Sequence, residues 1–186
     1  MQIRPYRAVD EKSLLILANK VHGAGYLNKA TLQDYLQRGL SAGLNASFVA
    51  YLDGQLVGYR LSFSAGKWQT DEWCSQSLWP VAANEMAYFK SVAVDPSVQG
   101  KGIGSSLLQA SIQVLQQQGA KAGLAHLWMQ SPGNSAVRYF TKAGGRLLAV
   151  HQDRWLELSL QSSGYDCPVC GHQCHCTAAE MVLEFK

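Results

Sequence analysis

The sequence predicts an α/β protein: a mixed central sheet of about seven strands flanked by about four helices. Three observations predict it. Short apolar runs with a period of two alternate with longer stretches whose apolar residues recur every three to four positions, the periods of strand and helix. The order of these runs is strand, helix, helix, three strands, helix, strand, helix, then further extended segments. At the centre, Tyr88–Val94 reads as an apolar strand, Asp95–Gly104 as a glycine-rich turn, and the stretch from Ser105 as an amphipathic helix carrying Leu107, Leu108, Ile112, Val114 and Leu115.

Each element has its own signal. Gln2 to Arg7 alternates and reads as a first strand. Asp10 is placed to cap a helix through Val21, with Leu14, Leu15, Leu17, Ala18 and Val21 on its apolar side and Gly23-Ala24-Gly25 breaking it. Asn28 or Thr31 can cap a second helix carrying Leu32, Tyr35, Leu36 and Leu40, ended near Gly43. Ser47–Leu52 and Gln55–Ser64 form a hairpin about Asp53-Gly54, a tight-turn pair. Ala65 to Asn84 holds Trp68, Trp73, Cys74, Trp79 and Pro80 without a period, and so reads as a long connection. Its tryptophans could line a pocket, cover the core or make a homodimer contact. Beyond the central helix, Leu124–Met129 is a short strand. Ser131-Pro132-Gly133-Asn134 opens a helix carrying Ala136, Val137, Tyr139, Phe140 and Ala143. Arg146–Val150 and Trp155–Leu160 read as extended, and Ala179–Phe185 is the last strand.

The whole of 1–186 reads as a single domain, long enough for a sizeable core, with 164–177 a Cys-rich insertion. A hydrophobic content of 47% against 16% charged residues describes a globular rather than a disordered chain. The net charge of +3 is too small to call for nucleic acid as a partner. No apolar run reaches membrane-spanning length, and Met1–Pro5 lacks the apolar region of a signal peptide, so no membrane partner is expected and the expected compartment is the cytoplasm.

A glycine loop between a strand and a helix holds phosphate: the backbone comes close, the first helical N–H groups are unpaired, and the helix N-terminus is partly positive. Lys101 adds a full charge. A P-loop would need a glycine where Asp95 stands and Ser or Thr where Gly102 stands. A dinucleotide fingerprint fails because Ser105 does not provide the third spaced glycine. Gln99-Gly100-Lys101-Gly102-Ile103-Gly104 instead matches Q/R-x-x-G-x-G/A in full, the acetyl-CoA loop of the GCN5-related N-acetyltransferase (GNAT) family. Val92-Ala93-Val94-Asp95-Pro96 looks like the strand that leads into that loop, and the element order is similar to the GNAT fold over almost the whole chain.

That resemblance implies direct, acetyl-CoA-dependent transfer of acetyl to an amine acceptor. The pyrophosphate would rest on amides of Gln99, Gly100, Lys101, Gly102, Ile103, Gly104 and Ser105, and the pantetheine arm would pair with backbone near Val92, Ala93 and Val94. Asn134 joins the cofactor set, one position from its usual slot. A general base must take the amine's proton. Glu85, at the entrance to the central strand, is the first candidate, with Glu72 and His126 in reserve. The family's acid is a tyrosine on the helix near Asn134, but alignment on Ala136 and Gly144 puts Phe140 there and Tyr139 one residue earlier, about 100° away around the helix. Tyr139 serves if the helix entry is locally shifted. Cys74 stands alone, and a lone cysteine is more often a small buried residue than a nucleophile.

Cys167-Pro168-Val169-Cys170-Gly171 resembles the knuckle of zinc ribbons and rubredoxin, and Cys174 and Cys176 follow closely. In a reducing compartment such a cluster reads as metal ligands before disulfides, and four sulfurs suit a tetrahedral, structural zinc. Cys167, Cys170, Cys174 and Cys176 could supply all four ligands, or His172 or His175 could replace one. Two other readings of the chain stay open: a non-catalytic acyl-CoA-binding sensor, and a zinc-dependent protein-interaction adaptor on the same fold.

Overall fold

The computed structural model describes residues 1–161 and 164–186. Its strands are β1 (Gln2–Pro5), β2 (Leu40–Ser41), β3 (Leu44–Asn45), β4 (Phe48–Leu52), β5 (Gln55–Phe63), β6 (Met86–Val94), β7 (Ala122–Trp128), β8 (Arg146–His151) and β9 (Ala178–Glu184). Its helices are α1 (Glu11–His22), α2 (Lys29–Arg38), α3 (Ile103–Gln117), α4 (Ser135–Lys142) and α5 (Leu156–Leu160). Seven strands form one mixed sheet in the order β1-β4-β5-β6-β7-β9-β8. Every neighbouring pair is antiparallel except β6 with β7. The last strand is inserted between β7 and β8. No helix among the described residues is long and apolar enough to cross a membrane.

Period-two alternation gives the sheet two apolar faces. α1 and α2 cover one, seating Leu14, Leu17, Leu32 and Leu36 against Val49, Tyr59, Leu61 and Ala93. α3 and α4 cover the other: Leu107 packs with Phe48, Ala50 and Val57, and Leu108, Leu115 and Phe140 pack with Phe89, Leu127 and Met181. Asn28 caps α2 by accepting from the Thr31 N–H at 2.9 Å.

Three expectations change. Trp155–Leu160 is not extended: residues 156–160 form the short helix α5, held where the Ser159 hydroxyl accepts from the Cys174 N–H at 3.0 Å. The small hairpin β2–β3 has no alternating signal behind it, being only two residues a side. Asp10 does not cap α1 with its side chain. It is fully buried and accepts from Arg4 at 2.6 and 2.7 Å, from the Tyr51 hydroxyl at 2.7 Å and from the Arg7 N–H at 2.8 Å. Burial opposes its charge, but the bonds from Arg4, Tyr51 and Arg7 outweigh that and hold its pKa below the ordinary carboxylate value.

A folded pKa below the unfolded one means stability that is present above the unfolded pKa and lost as pH falls through the folded value. Asp10→Ala is expected to cost about 3 kcal/mol, since it leaves Arg4 facing a buried hole without its partner. Chemical denaturation at neutral pH should show the loss, and the gap between variant and parent should close in acid.

Candidate active site

The centre of the molecule is a parting of strands. β7 pairs with β6 only from Met86↔Ala122 to Tyr88↔Leu124. Beyond Tyr88, β6 has no strand partner on that edge among the described residues, and its pairing with β5 skips Lys90 in a bulge between Ser62↔Phe89 and Leu61↔Ser91. Residues 89–94 therefore present backbone to a gap open toward the carboxyl ends of β6 and β7. Two carbonyls on this segment accept from side chains: Val94 O from the Gln99 amide, and Val92 O from His22 Nε2 at 3.1 Å, where burial keeps the imidazole neutral, its pKa pushed down to about 4. Val92, Ala93 and Val94 thus lie where an extended ligand could add to the sheet, with Val92 O already holding one donor.

The glycine turn closes the same end of β6. Gly100 and Gly102 have φ of +80° and +78°, where a side chain would be strained, and the space where their Cβ atoms would sit is open. The first helical bond of α3 runs from the Ser106 N–H to Gly102 O at 3.0 Å, so the amides of Ile103, Gly104 and Ser105 precede the ladder and are free for an anion. Ile103 turns its side chain into the core at 2% exposure and fixes the cradle, while the Gln99 amide folds back on Val94 O at 3.3 Å. Lys101 is exposed beside it.

On the α1–α2 face, the gap opens into a cavity of about 350 Å³ whose lining includes Tyr35, Phe63, Trp68, Tyr88, Lys90 and His126. Tyr88 and His126 come from neighbouring strands, with Tyr88 Oη 3.0 Å from His126 Nδ1. His126 Nε2 is 2.8 Å from Trp73 O, an acceptor only, so Nε2 carries the proton and Nδ1 accepts from the Tyr88 hydroxyl. Burial keeps this imidazole neutral, its pKa lowered to about 4. Behind it, His151 Nε2 lies 3.0 Å from the fully buried carboxylate of Glu180. Glu180 also accepts from the Ser75 N–H at 2.9 Å and the Trp79 indole at 3.3 Å, which ties the long loop to β9. Trp68 stacks on Tyr88 at 4.8 Å and donates to Met86 O at 2.7 Å. The tryptophans are half-buried within this chain.

The structure removes Glu85 from this centre. It sits at the closed end of the gap, just before Met86 pairs with Ala122, and its carboxylate is bonded to Lys121, which holds its pKa down. A carboxylate at the sealed end cannot meet a substrate entering at the open one. Glu72 is exposed on the loop. Cys74 lines the cavity but remains a thiol, burial raising its pKa to about 12.

Tyr139 approaches from the α3–α4 face. Gly133 and Asn134 both adopt left-handed backbone, which shifts the entry to α4, and the Ser131 hydroxyl caps it by accepting from the Ala136 N–H at 3.1 Å. Phe140 is fully buried in the core, packed on Phe89. The Tyr139 hydroxyl accepts from Arg60, a fully buried guanidinium on β5 opposite Val92. Because Arg60 donates, the phenol proton is free to point elsewhere. The Asn134 side-chain oxygen is buried and, among the described residues, accepts no hydrogen bond.

The four clustered cysteines converge. Their sulfurs lie within 4.8 Å of one another, with Cys167–Cys176 at 3.7 Å and Cys170–Cys176 at 3.4 Å, and all are free thiols. A tetrahedral zinc with bonds of about 2.3 Å has sulfur–sulfur edges of about 3.8 Å, so the set fits. His175 is instead paired with Asp153 at 2.9 Å, and His172 is an exposed ring near Asp166 at 3.8 Å. The Cys167 N–H and Gly171 O bond at 2.9 Å, and Gly171 N–H returns to Cys167 O at 2.8 Å, closing the knuckle. The knuckle packs on the α1–α2 turn: Asp166 N–H donates to Ala24 O at 3.1 Å, and a Cβ on Gly23 would fall 1.8 Å from Asp166 O, so only glycine fits there. Tyr165 meets Tyr26 edge-on at 5.7 Å, and the Tyr26 hydroxyl donates to Ser91 of β6 at 2.9 Å.

Comparison with known proteins gives three findings. The sequence profile described as the acetyltransferase (GNAT) family matches residues 18–145, more than half the chain. No curated protein matches the sequence. Among solved structures, an N-acetyltransferase from Staphylococcus aureus aligns at 18% identity and TM-score 0.70, covering 100% of this chain and 98% of its own. A ribosomal-protein-alanine N-acetyltransferase from Brucella melitensis aligns at 16% and 0.68, covering 99% of each chain. A Bacillus subtilis acetyltransferase solved with CoA aligns at 19% and 0.62, covering 100% and 97%. At these identities the likeness is one of fold.

Proposed function

The chain belongs to the acetyltransferase (GNAT) family and is an acetyl-CoA-dependent N-acetyltransferase, and from that premise we propose how its own residues carry the transfer. The observation that bears most weight is the unpaired edge of β6, which joins the glycine cradle at one end to the Tyr88–His126 cavity at the other. Amides from Gln99 to Ser105 hold the pyrophosphate, with Lys101 beside it. The arm lies along Val92–Val94 and the Asn134 oxygen accepts from one of its amides. The acetyl group then reaches the gap, where the acceptor amine meets it from the cavity.

Once the amine nitrogen bonds to the carbonyl carbon, its N–H becomes acidic. The Tyr88 oxygen takes that proton as its own passes to His126 Nδ1, whose lone pair is fixed by the Nε2 bond to Trp73 O. On the opposite face the Tyr139 proton, left free by the Arg60 bond, goes to the departing thiolate. Base and acid thus act from the two faces of one sheet, and no acyl-enzyme is formed.

Cys167, Cys170, Cys174 and Cys176 hold a structural zinc in this reading. A closed set of four thiolates leaves no open position, so the ion's contribution is to fold the loop. Reduced thiols of this kind suit the cytoplasm.

Gly102→Ala tests the cradle. A side chain at φ of +78° costs about 1 kcal/mol of backbone strain and intrudes on the open space. The expected result is acetyl-CoA binding about tenfold weaker by calorimetry, with the acceptor's KM unchanged. Unaltered cofactor affinity would move the pyrophosphate elsewhere.

A further inference from the structure

The cavity beside Tyr88 is lined by five charged side chains: Asp34 and Arg38 from α2, Asp71 from the long loop, Lys90 from β6, and Arg154 from the turn after β8. Four of them cancel in pairs. Arg38 Nε lies 2.8 Å from Asp34, and Arg154 Nη2 lies 2.9 Å from Asp71. Lys90 is left over. Among the described residues it makes no ion pair and no hydrogen bond, and its ammonium rests 5.2 Å from the centroid of the Tyr35 ring. Burial lowers its pKa, with Arg154 and Arg38 pushing the same way and Tyr26 and Asp71 opposing in part. Alternation from Tyr88 puts it on this face, and a partly buried cation with no anionic partner among the described residues is costly until something supplies the opposite charge.

We propose that Lys90 anchors an anionic group on the acceptor, and that the acceptor is a small amine bearing a carboxylate near its amino group, a free amino acid with an apolar side chain. This rests on the N-acetyltransferase reading above. Tyr88 and Lys90 are two residues apart on one strand, about 7 Å along the backbone, a span that one small molecule bridges. One uncancelled positive charge matches a monoanionic carboxylate better than a dianionic phosphate. Tyr35, Phe63 and Trp68 supply an aromatic wall for an apolar side chain. A volume of about 350 Å³ stands at the small end of ligand cavities, which favours a small molecule over a peptide segment. The aromatic character of residues 65–84 points in sequence to a weakly charged acceptor; the charges of the cavity come largely from α2, β6 and the β8 turn instead.

The test compares L-alanine, L-leucine, L-methionine and L-phenylalanine with their amides, reading CoA thiol release. Each amide loses the anion and also has a lower amine pKa, which supplies more neutral amine and so works against the expected preference for the acid. The expected result is kcat/KM higher for the acids by about tenfold or more, carried by KM, as one charge-assisted bond gives. Lys90→Met should level acid and amide, and Lys90→Arg should keep the preference, with melting curves confirming that both variants fold. Calorimetry with the N-acetyl amino acids and N-acetyl amino acid amides reads the pocket without turnover. Equal binding of acid and amide overturns the anchor even if transfer occurs. A binding preference for the acid with no transfer overturns the enzyme reading and leaves the anchor standing. Faster transfer to putrescine or spermidine, drawn by Asp34 and Asp71, would overturn the proposal in favour of a cationic acceptor.

Discussion

His126→Gln and Tyr88→Phe are each expected to lower kcat by about a hundred- to ten-thousand-fold while leaving acetyl-CoA affinity unchanged. Tyr88→Phe removes the oxygen that faces the amine, and His126→Gln removes the site that receives its proton. The two act as one relay, so the double variant should lose little more than either single one. Stopped assays with saturating acetyl-CoA give the rates, and calorimetry gives the cofactor affinity. Single variants within threefold of the parent would place the base elsewhere in the cavity. The pH profile adds a sign. His126 is neutral above about 4, so its own titration should appear as an acidic limb near that value and not near its ordinary 6.5. Folding stability should also decline as pH falls from 6.5 toward 4, because His126 and His22 must charge in the unfolded chain before they can in the folded one.

Cys176→Ser is expected to abolish zinc binding and lower the melting temperature by about 10 °C, the scale set by losing several kcal/mol in a domain of this length. Cys176 makes the shortest sulfur contacts in the cluster, to Cys170 and Cys167. Its loss leaves an incomplete ligand set around buried thiols. The damage should spread along a defined route, from the knuckle through Gly23 and Tyr165 to Tyr26 and so to Ser91. Hydrogen exchange would then rise in the α1–α2 turn as well as in the loop. Elemental analysis showing one zinc per chain in the parent and none in the variant is the companion result. A variant that keeps both its zinc and its melting temperature would remove the metal from the fold's support.

What was legible in the sequence was what is local. The glycine cradle is written in six consecutive residues because backbone approach and left-handed turns are set by neighbours in the chain. The cysteine knuckle is equally compact. His126 stands in the sequence only as a reserve base, and its partner Tyr88 does not stand out as one. They lie 38 residues apart, and their meeting depends on which strands pair and where they part. Lys90 shares the face of Tyr88 by alternation, but that this face is a cavity depends on α2, the long loop and Arg154 packing around it. The shift at Tyr139 was visible as a misfit in spacing, and the left-handed pair Gly133–Asn134 supplies its cause. Glu85 illustrates the reverse error: its place before the central strand is right in sequence, but strand direction puts it at the sealed end of the gap. Trp155–Leu160 alternates like a strand, yet one bond from Cys174 to Ser159 helps hold it as a helical turn.

The placement of Tyr88 and His126 on one face of the sheet, and of Tyr139 and Arg60 on the other, has a consequence for how such a chain can change over time. The surface that would recognise the acceptor and the surface that would receive the departing thiol share only the width of a single strand edge. Substitutions in α2 or the long loop can redraw the choice of amine without disturbing the grip on the donor. One scaffold can in this way be inherited whole while its clientele is replaced.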